Sequence, residues 1–117
     1  MATTLSMTGT VQRADGISVV DQVSLSPTRS VAEDVAHTVT LAVNGNHAVA
    51  FGAVSPASFV VIYSTAQISV TLTNQAGTSQ VLKGDHFILS NTDITGISLT
   101  NPSGTVAATV RIILGGA

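Results

Sequence analysis

His37, His47, His86, Asp85 and Asp93 are the side chains from which a catalytic or metal site could be drawn, with a serine as nucleophile or the imidazoles as ligands. Such sites are defined by geometry and not by the presence of their ingredients. The chain carries no Gly-x-Ser-x-Gly elbow, no His-Glu-x-x-His and no pair of histidines at metal-ligand spacing. Lys83-Gly84-Asp85-His86 is the densest polar cluster, and its glycine suits a solvated turn between two short strands. His37 sits on an apolar face, the setting of a satisfied core or interface histidine. The expectation is a non-enzymatic protein without catalytic, cofactor-binding or metal-ligating residues.

One stretch is written twice. Leu72-Thr73-Asn74-Gln75-Ala76-Gly77-Thr78 returns as Leu99-Thr100-Asn101-Pro102-Ser103-Gly104-Thr105. Neither copy holds an Asp or Glu for Ca²⁺, and neither has the Lys and following helix of a phosphate loop. Turn geometry explains each residue: Asn opens a type I turn, Pro fits its second position, and Gly supplies a left-handed fourth residue that rejoins the ladder as a bulge. The two copies are thus expected to be hairpins of like design. On this reading Gly104→Ala costs about 1–2 kcal/mol, the left-handed penalty.

The elements around these residues are strands. Leu5, Met7 and Val11 alternate with Thr4, Ser6, Thr8 and Thr10, and Ile17, Val19, Val23 and Leu25 resume the period after Asp15-Gly16, which predicts a hairpin. Pro27 ends it. Ser30-Val31-Ala32-Glu33 has capping-box spacing, so a loop or a single helical turn is expected at 28–34, running into a strand at 35–43. Asn44-Gly45 predicts a tight turn with both residues central. Phe59-Val60-Val61-Ile62-Tyr63 is apolar throughout, as a strand buried on both faces would be. Strands at 68–72, 81–82, 87–89, 97–100 and 106–114 follow, with a loop through 91–96. Short strands at such regular spacing predict an all-β fold, an antiparallel β-sandwich or jelly-roll-like barrel of about eight to ten short strands.

At 117 residues the chain suits one domain, residues 1–117, with 1–6 as a flexible N-terminal arm. The core must be aliphatic, because 16 Val, 8 Ile and 8 Leu face only three Phe and one Tyr. Charged residues make up 9% of the chain, and uncharged Thr and Ser take their place. That depletion, measured against a usual share of about 25%, points to a surface covered by other subunits. Four scattered Lys and Arg give no basic patch, so no nucleic-acid partner is expected. Without Cys the fold relies on packing or assembly, and the short apolar runs predict no membrane span and no signal peptide. Sugar sites commonly stack the ring on an exposed aromatic, and Tyr63 is the one candidate for a lectin-like role.

From Val43 to Leu114 the chain resembles small β-sandwich virion proteins of tailed bacteriophages. The resembling stretches are the VNGNHAVAFG hairpin, the FVVIY strand, ISVTLTN, FILSNTDITGISLTN and the terminal TVAATVRIILGG strand. What the resemblance implies is a capsid cement (decoration) protein located in the virion, or else a head-vertex, fibre or tail-associated protein. The implied partners are the major capsid protein or another virion protein and further copies of the chain, as a homo-oligomer such as a trimer. Residues 1–6 and 26–36 are the expected contacts, since both are weakly patterned and could order on a partner.

Overall fold

The computed structural model of the protein describes residues 3–14 and 19–116. Among them nine strands follow one another and there is no helix: β1 (Thr3–Ser6), β2 (Gly9–Ala14), β3 (Val19–Leu25), β4 (Thr28–Val31), β5 (Glu33–Leu41), β6 (Asn46–Ala48), β7 (Ala57–Asn74), β8 (Ser79–Thr100) and β9 (Ala108–Gly116). The fold is all-β, as expected, but β7 and β8 are far from short, at 18 and 22 residues.

The first four strands form one ribbon. β1 pairs with β4 from Thr3↔Val31 to Ser6↔Thr28, and β2 pairs with β3 from Gly9↔Leu25 through Arg13↔Asp21, in the same running register. Between them the Met7 amide donates to the Pro27 carbonyl at 3.0 Å. Pro27 has no N–H to return that bond, which is why the ladder is interrupted there. Residues 3–6, expected as an arm, are paired as strand, and the 28–34 segment is not a helical turn but the strand β4, a bend at Ala32 and the start of β5. Pairing with β1 satisfies this backbone, Val31 is buried, and β-branched Thr28 and Val31 suit a strand. The Asp15-Gly16 turn falls outside the described residues.

The remaining strands form a five-stranded sheet in the order β5-β9-β7-β8-β6. Partner numbers fall as residue numbers rise in every stretch of it, so it is antiparallel throughout. The sheet folds on itself because β7 and β8 each serve two layers. Residues 57–64 of β7 pair with β9, and 59–63 pair with 86–90 of β8. Residues 68–73 of β7 instead lie between 79–84 and 96–100 of β8. One layer is therefore β5, β9, the first half of β7 and the middle of β8. The second is the start of β8, the second half of β7, the end of β8, and β6.

The expected loop at 91–96 is a bend within β8. Asn91 adopts φ +61° there, and the strand beyond it changes partners from 59–63 to 69–73. Asn tolerates this left-handed geometry better than most residues, so a change of layer need not end the strand.

Alternation along each strand sends one set of residues between the layers. Val60, Ile62, Val110, Ile112 and Leu114 of the first layer meet Ile68, Val70, Leu72, Ile97 and Leu99 of the second in a single aliphatic cluster. The FVVIY strand is central, as its composition predicted, except that Tyr63 at its end is 44% exposed. Phe59, although buried, lies outside that cluster. It faces the other way, beside its cross-strand partner Gly115. A Cβ on Gly115 would collide with the Leu5 side chain and crowd Val31, so this glycine is the notch into which the base of the ribbon seats. Beyond that notch the ribbon projects, and the radius of gyration is 15.6 Å, against about 13 Å for a compact chain of this length.

Candidate functional site

The two copies of the repeated motif do different things. In the first, the Gly77 amide donates to the Asn74 carbonyl, the Thr78 amide donates to Asn74 Oδ1 at 2.9 Å, and Gly77 has φ +87°. This is the expected hairpin, joining β7 to β8 across Thr73↔Ser79. The second copy is not a hairpin. β8 leaves the second layer at Thr100 and β9 begins in the first layer at Ala108, so residues 101–107 cross between layers.

Asn101 is completely buried there, with Nδ2 donating to the carbonyls of Val106 at 2.8 Å, Ala42 at 3.3 Å and Leu41 at 3.4 Å. Its Oδ1 accepts from the Ser103 amide. Gly104 is not left-handed, and a Cβ on it would meet only Asn44 Nδ2 at 3.7 Å. The penalty expected for Gly104→Ala therefore has no basis, and belongs to Gly77. The same letters serve two geometries because the Asn101 amide finds buried carbonyls, whereas Asn74 lies at a hairpin end.

The Asn44-Gly45 turn is shifted by one residue from expectation. The Gly45 amide donates to the Ala42 carbonyl at 2.8 Å, so Val43 and Asn44 are central and Asn44 alone takes positive φ, +56°. Gly45 is required for space, since a Cβ would lie 2.8 Å from the Ala42 carbonyl oxygen.

The chemistry-bearing residues are not gathered. His37 Nε2 donates to the Ala50 carbonyl at 2.8 Å, which fixes its tautomer and accounts for a histidine on that face. His47 is exposed on β6, and Asp93 is exposed on β8. Among the described residues no three His, Asp or Glu side chains come together as a metal group. Asp85 and His86 do pair: His86 Nδ1 donates to Asp85 Oδ1 at 2.9 Å on an open surface. That hydrogen bond holds the Asp85 carboxyl below its ordinary range, with a smaller contribution from the charge of the imidazole. Tyr63 lies against His86, ring centroids 4.8 Å apart and tilted by 60°. No hydroxyl among the described residues is hydrogen-bonded to the His86 ring, so the pair has the base of a triad without its nucleophile.

What the tertiary structure does assemble is a set of surfaces. Residues 35–82 contain no Asp, Glu, Lys or Arg. The outward row Ala48, Ser98, Thr71 and Val81 crosses the second layer, beside Asn46, Thr100, Ser69 and Lys83. One charge therefore stands on a face otherwise made of small uncharged side chains, with Val81 59% exposed at its edge. On the first layer the outward rows are Ala36, Ile113, Val61 and Ile88, then Thr38, Arg111, Tyr63 and His86. Ile88 is 41% exposed. Met7, Leu25 and Pro27 of the ribbon hang over Ile88 and Ser90, leaving a gap of about 330 Å³ beneath them.

Sequence reasoning identified Tyr63 and His86 singly but not this row, because cross-strand neighbours are set by register. No family model, no curated protein and no solved structure matches the chain.

Proposed function

We propose that the protein is a non-enzymatic structural component of a bacteriophage particle, a cement protein that binds the capsid exterior and holds neighbouring capsomers together. The observation that carries this reading is the surface: a broad outer face of the second layer with Lys83 as the one charge in its outward rows, together with a projecting two-stranded ribbon. Charge is costly to bury between subunits, and a surface made of Ser, Thr and aliphatic side chains is cheap to cover. An isolated two-stranded ribbon is marginal in water, so a partner for it is expected. The mechanism is mass action: binding only the assembled shell stabilises that shell against internal pressure. The major capsid protein is the proposed partner, and the ribbon, which includes the 26–31 part of the predicted contact segment, is the proposed point of attachment.

The location of the chain in a map of purified particles tests this. Density on the shell at a copy number comparable to the capsid subunits supports cement. A few copies at the vertex or tail would make it a fibre or tail-associated protein, and absence from particles would remove the virion reading.

A second reading rests on Tyr63, an exposed aromatic with Arg111 beside it on the neighbouring strand and the His86–Asp85 pair on the other side. A ring face flanked by charged hydrogen-bonding groups suits a sugar. Saturable binding on a glycan array that Tyr63→Ala abolishes would favour this lectin-like role over cement.

A further inference from the structure

Each copy of the chain carries both a ribbon with an apolar face and an apolar row on the outer face of the first layer. The base of the ribbon already shows how the face takes a ribbon. Leu5 and Val31 fill the notch at Gly115, over Phe59. From there the ribbon runs toward Ile88, where Met7, Leu25 and Pro27 leave an apolar gap of about 330 Å³ unfilled. Past this point its second half, β2 and β3, projects from the body with Val11 59% exposed. The same face continues as exposed Ala36, half-buried Ile113 and Val61, and Ile88 at the edge of the gap, so the apolar side of the ribbon at Val11 and this row both keep apolar surface in water.

We propose that the projecting half of the ribbon lies on the outer face of a second copy of this chain, with Val11 directed at the gap beside Ile88, and that the two copies exchange ribbons reciprocally. Three observations select a second copy. The receiving face is continuous with the patch that seats the ribbon base, so the complementarity is already present within the chain. The ribbon ladder 9–12 with 22–25 and the row Ala36, Ile113, Val61 and Ile88 contain no formal charge, so their contact desolvates none. Reciprocity supplies the area. Four rungs, Gly9↔Leu25 to Gln12↔Gln22, at roughly 3.4 Å per residue make a strip about 14 Å long. One such strip is small beside a standard interface of about 1,200 Å² or more, and exchange between two copies doubles it, which a foreign surface taking one ribbon would not.

The inference concerns the isolated protein and stands apart from the capsid reading, so the two can fail separately. Its test starts with the mass of the full chain in solution, measured by light scattering. The expected value is about twice the 11.8 kDa of one chain, falling to that of a single chain in Val11→Asp, whose melt should match that of the parent diluted until its copies separate. The absence of Cys permits a second measurement. A Val11→Cys chain mixed with an Ile88→Cys chain should form a mixed disulfide on mild oxidation, and Val11→Cys mixed with Lys83→Cys should not. A parent mass of one chain, a mass that Val11→Asp leaves unchanged, or cross-linking that does not distinguish Ile88 from Lys83 would each overturn the proposal. Efficient closure within one chain carrying both Val11→Cys and Ile88→Cys at high dilution would also overturn it, by placing the ribbon on its own body.

Discussion

Alanine substitutions in the two copies of Leu-Thr-Asn-x-x-Gly-Thr should give opposite patterns. In the second copy the asparagine is the sensitive position. Asn101→Ala removes two short hydrogen bonds, to the Val106 carbonyl at 2.8 Å and from the Ser103 amide at 3.1 Å, and two longer ones, all at a fully buried side chain. At about 1 kcal/mol for each short bond, with a further penalty of about 1–2 kcal/mol for carbonyls left unpaired and for lost packing, the cost is about 3–4 kcal/mol. Gly104→Ala should lie within about 0.5 kcal/mol of the parent, the usual range for an unstrained surface change.

In the first copy the order reverses. Gly77→Ala forces a Cβ into φ +87° and should cost about 1–2 kcal/mol. Asn74→Ala loses one exposed bond to the Thr78 amide and should cost about 0.5–1 kcal/mol. With an unfolding entropy of about 2.1 cal/mol/K per residue, 1 kcal/mol corresponds to about 4 °C in a chain of 117 residues. Asn101→Ala should therefore melt about 12–16 °C below the parent, and Gly104→Ala within about 2 °C of it. Differential scanning calorimetry with urea titration reads all four. The assignment of the second copy as a buried crossover fails if Gly104→Ala costs more than Gly77→Ala, or if Asn101→Ala melts with the parent.

Other expectations follow from single contacts. Gly115→Val displaces Leu5 and crowds Val31, so hydrogen exchange at the Met7 amide should accelerate while the amides of β9 that pair with β5 stay protected. Ile112→Ala, at a position with no exposure between the layers, should cost about 2–5 kcal/mol in urea unfolding. Asp85 should titrate below the ordinary carboxylate range by NMR, returning toward it in His86→Ala. A carboxyl with a depressed native pKa favours the folded state above its unfolded pKa and loses that advantage as pH falls through the native value. Because this pair lies open to solvent, Asp85→Asn should leave the melting temperature at pH 7 unchanged.

Strand positions were readable because period-2 alternation survives in any antiparallel fold. Leu5, Met7 and Val11, and later Val110, Ile112 and Leu114, mark their strands without reference to a partner. The strand at 28–31 was not readable. Its capping-box spacing is a local signal, and the pairing of Thr28–Val31 with β1 that outweighs it comes from across the ribbon. The bend at Asn91 was likewise hidden, since an asparagine marks a left-handed residue equally well at the end of a strand or within it. The candidate chemistry was legible as a list and invisible as an arrangement: Asp85 and His86 are neighbours in sequence, but Tyr63 joins them only through the register of β7 against β8.

By itself the sequence determined that this chain is all-β with an aliphatic core, because side-chain alternation and turn residues act over a few positions. Local signals also identified one of the two repeated turns correctly. Only the tertiary structure decided that Asn101 is buried and Asn74 is not, that β7 and β8 each serve two layers, and that Gly115 is a socket for Leu5. These depend on which backbone carbonyls and side chains arrive from elsewhere in the chain, and two copies of the same seven-residue pattern cannot encode that difference.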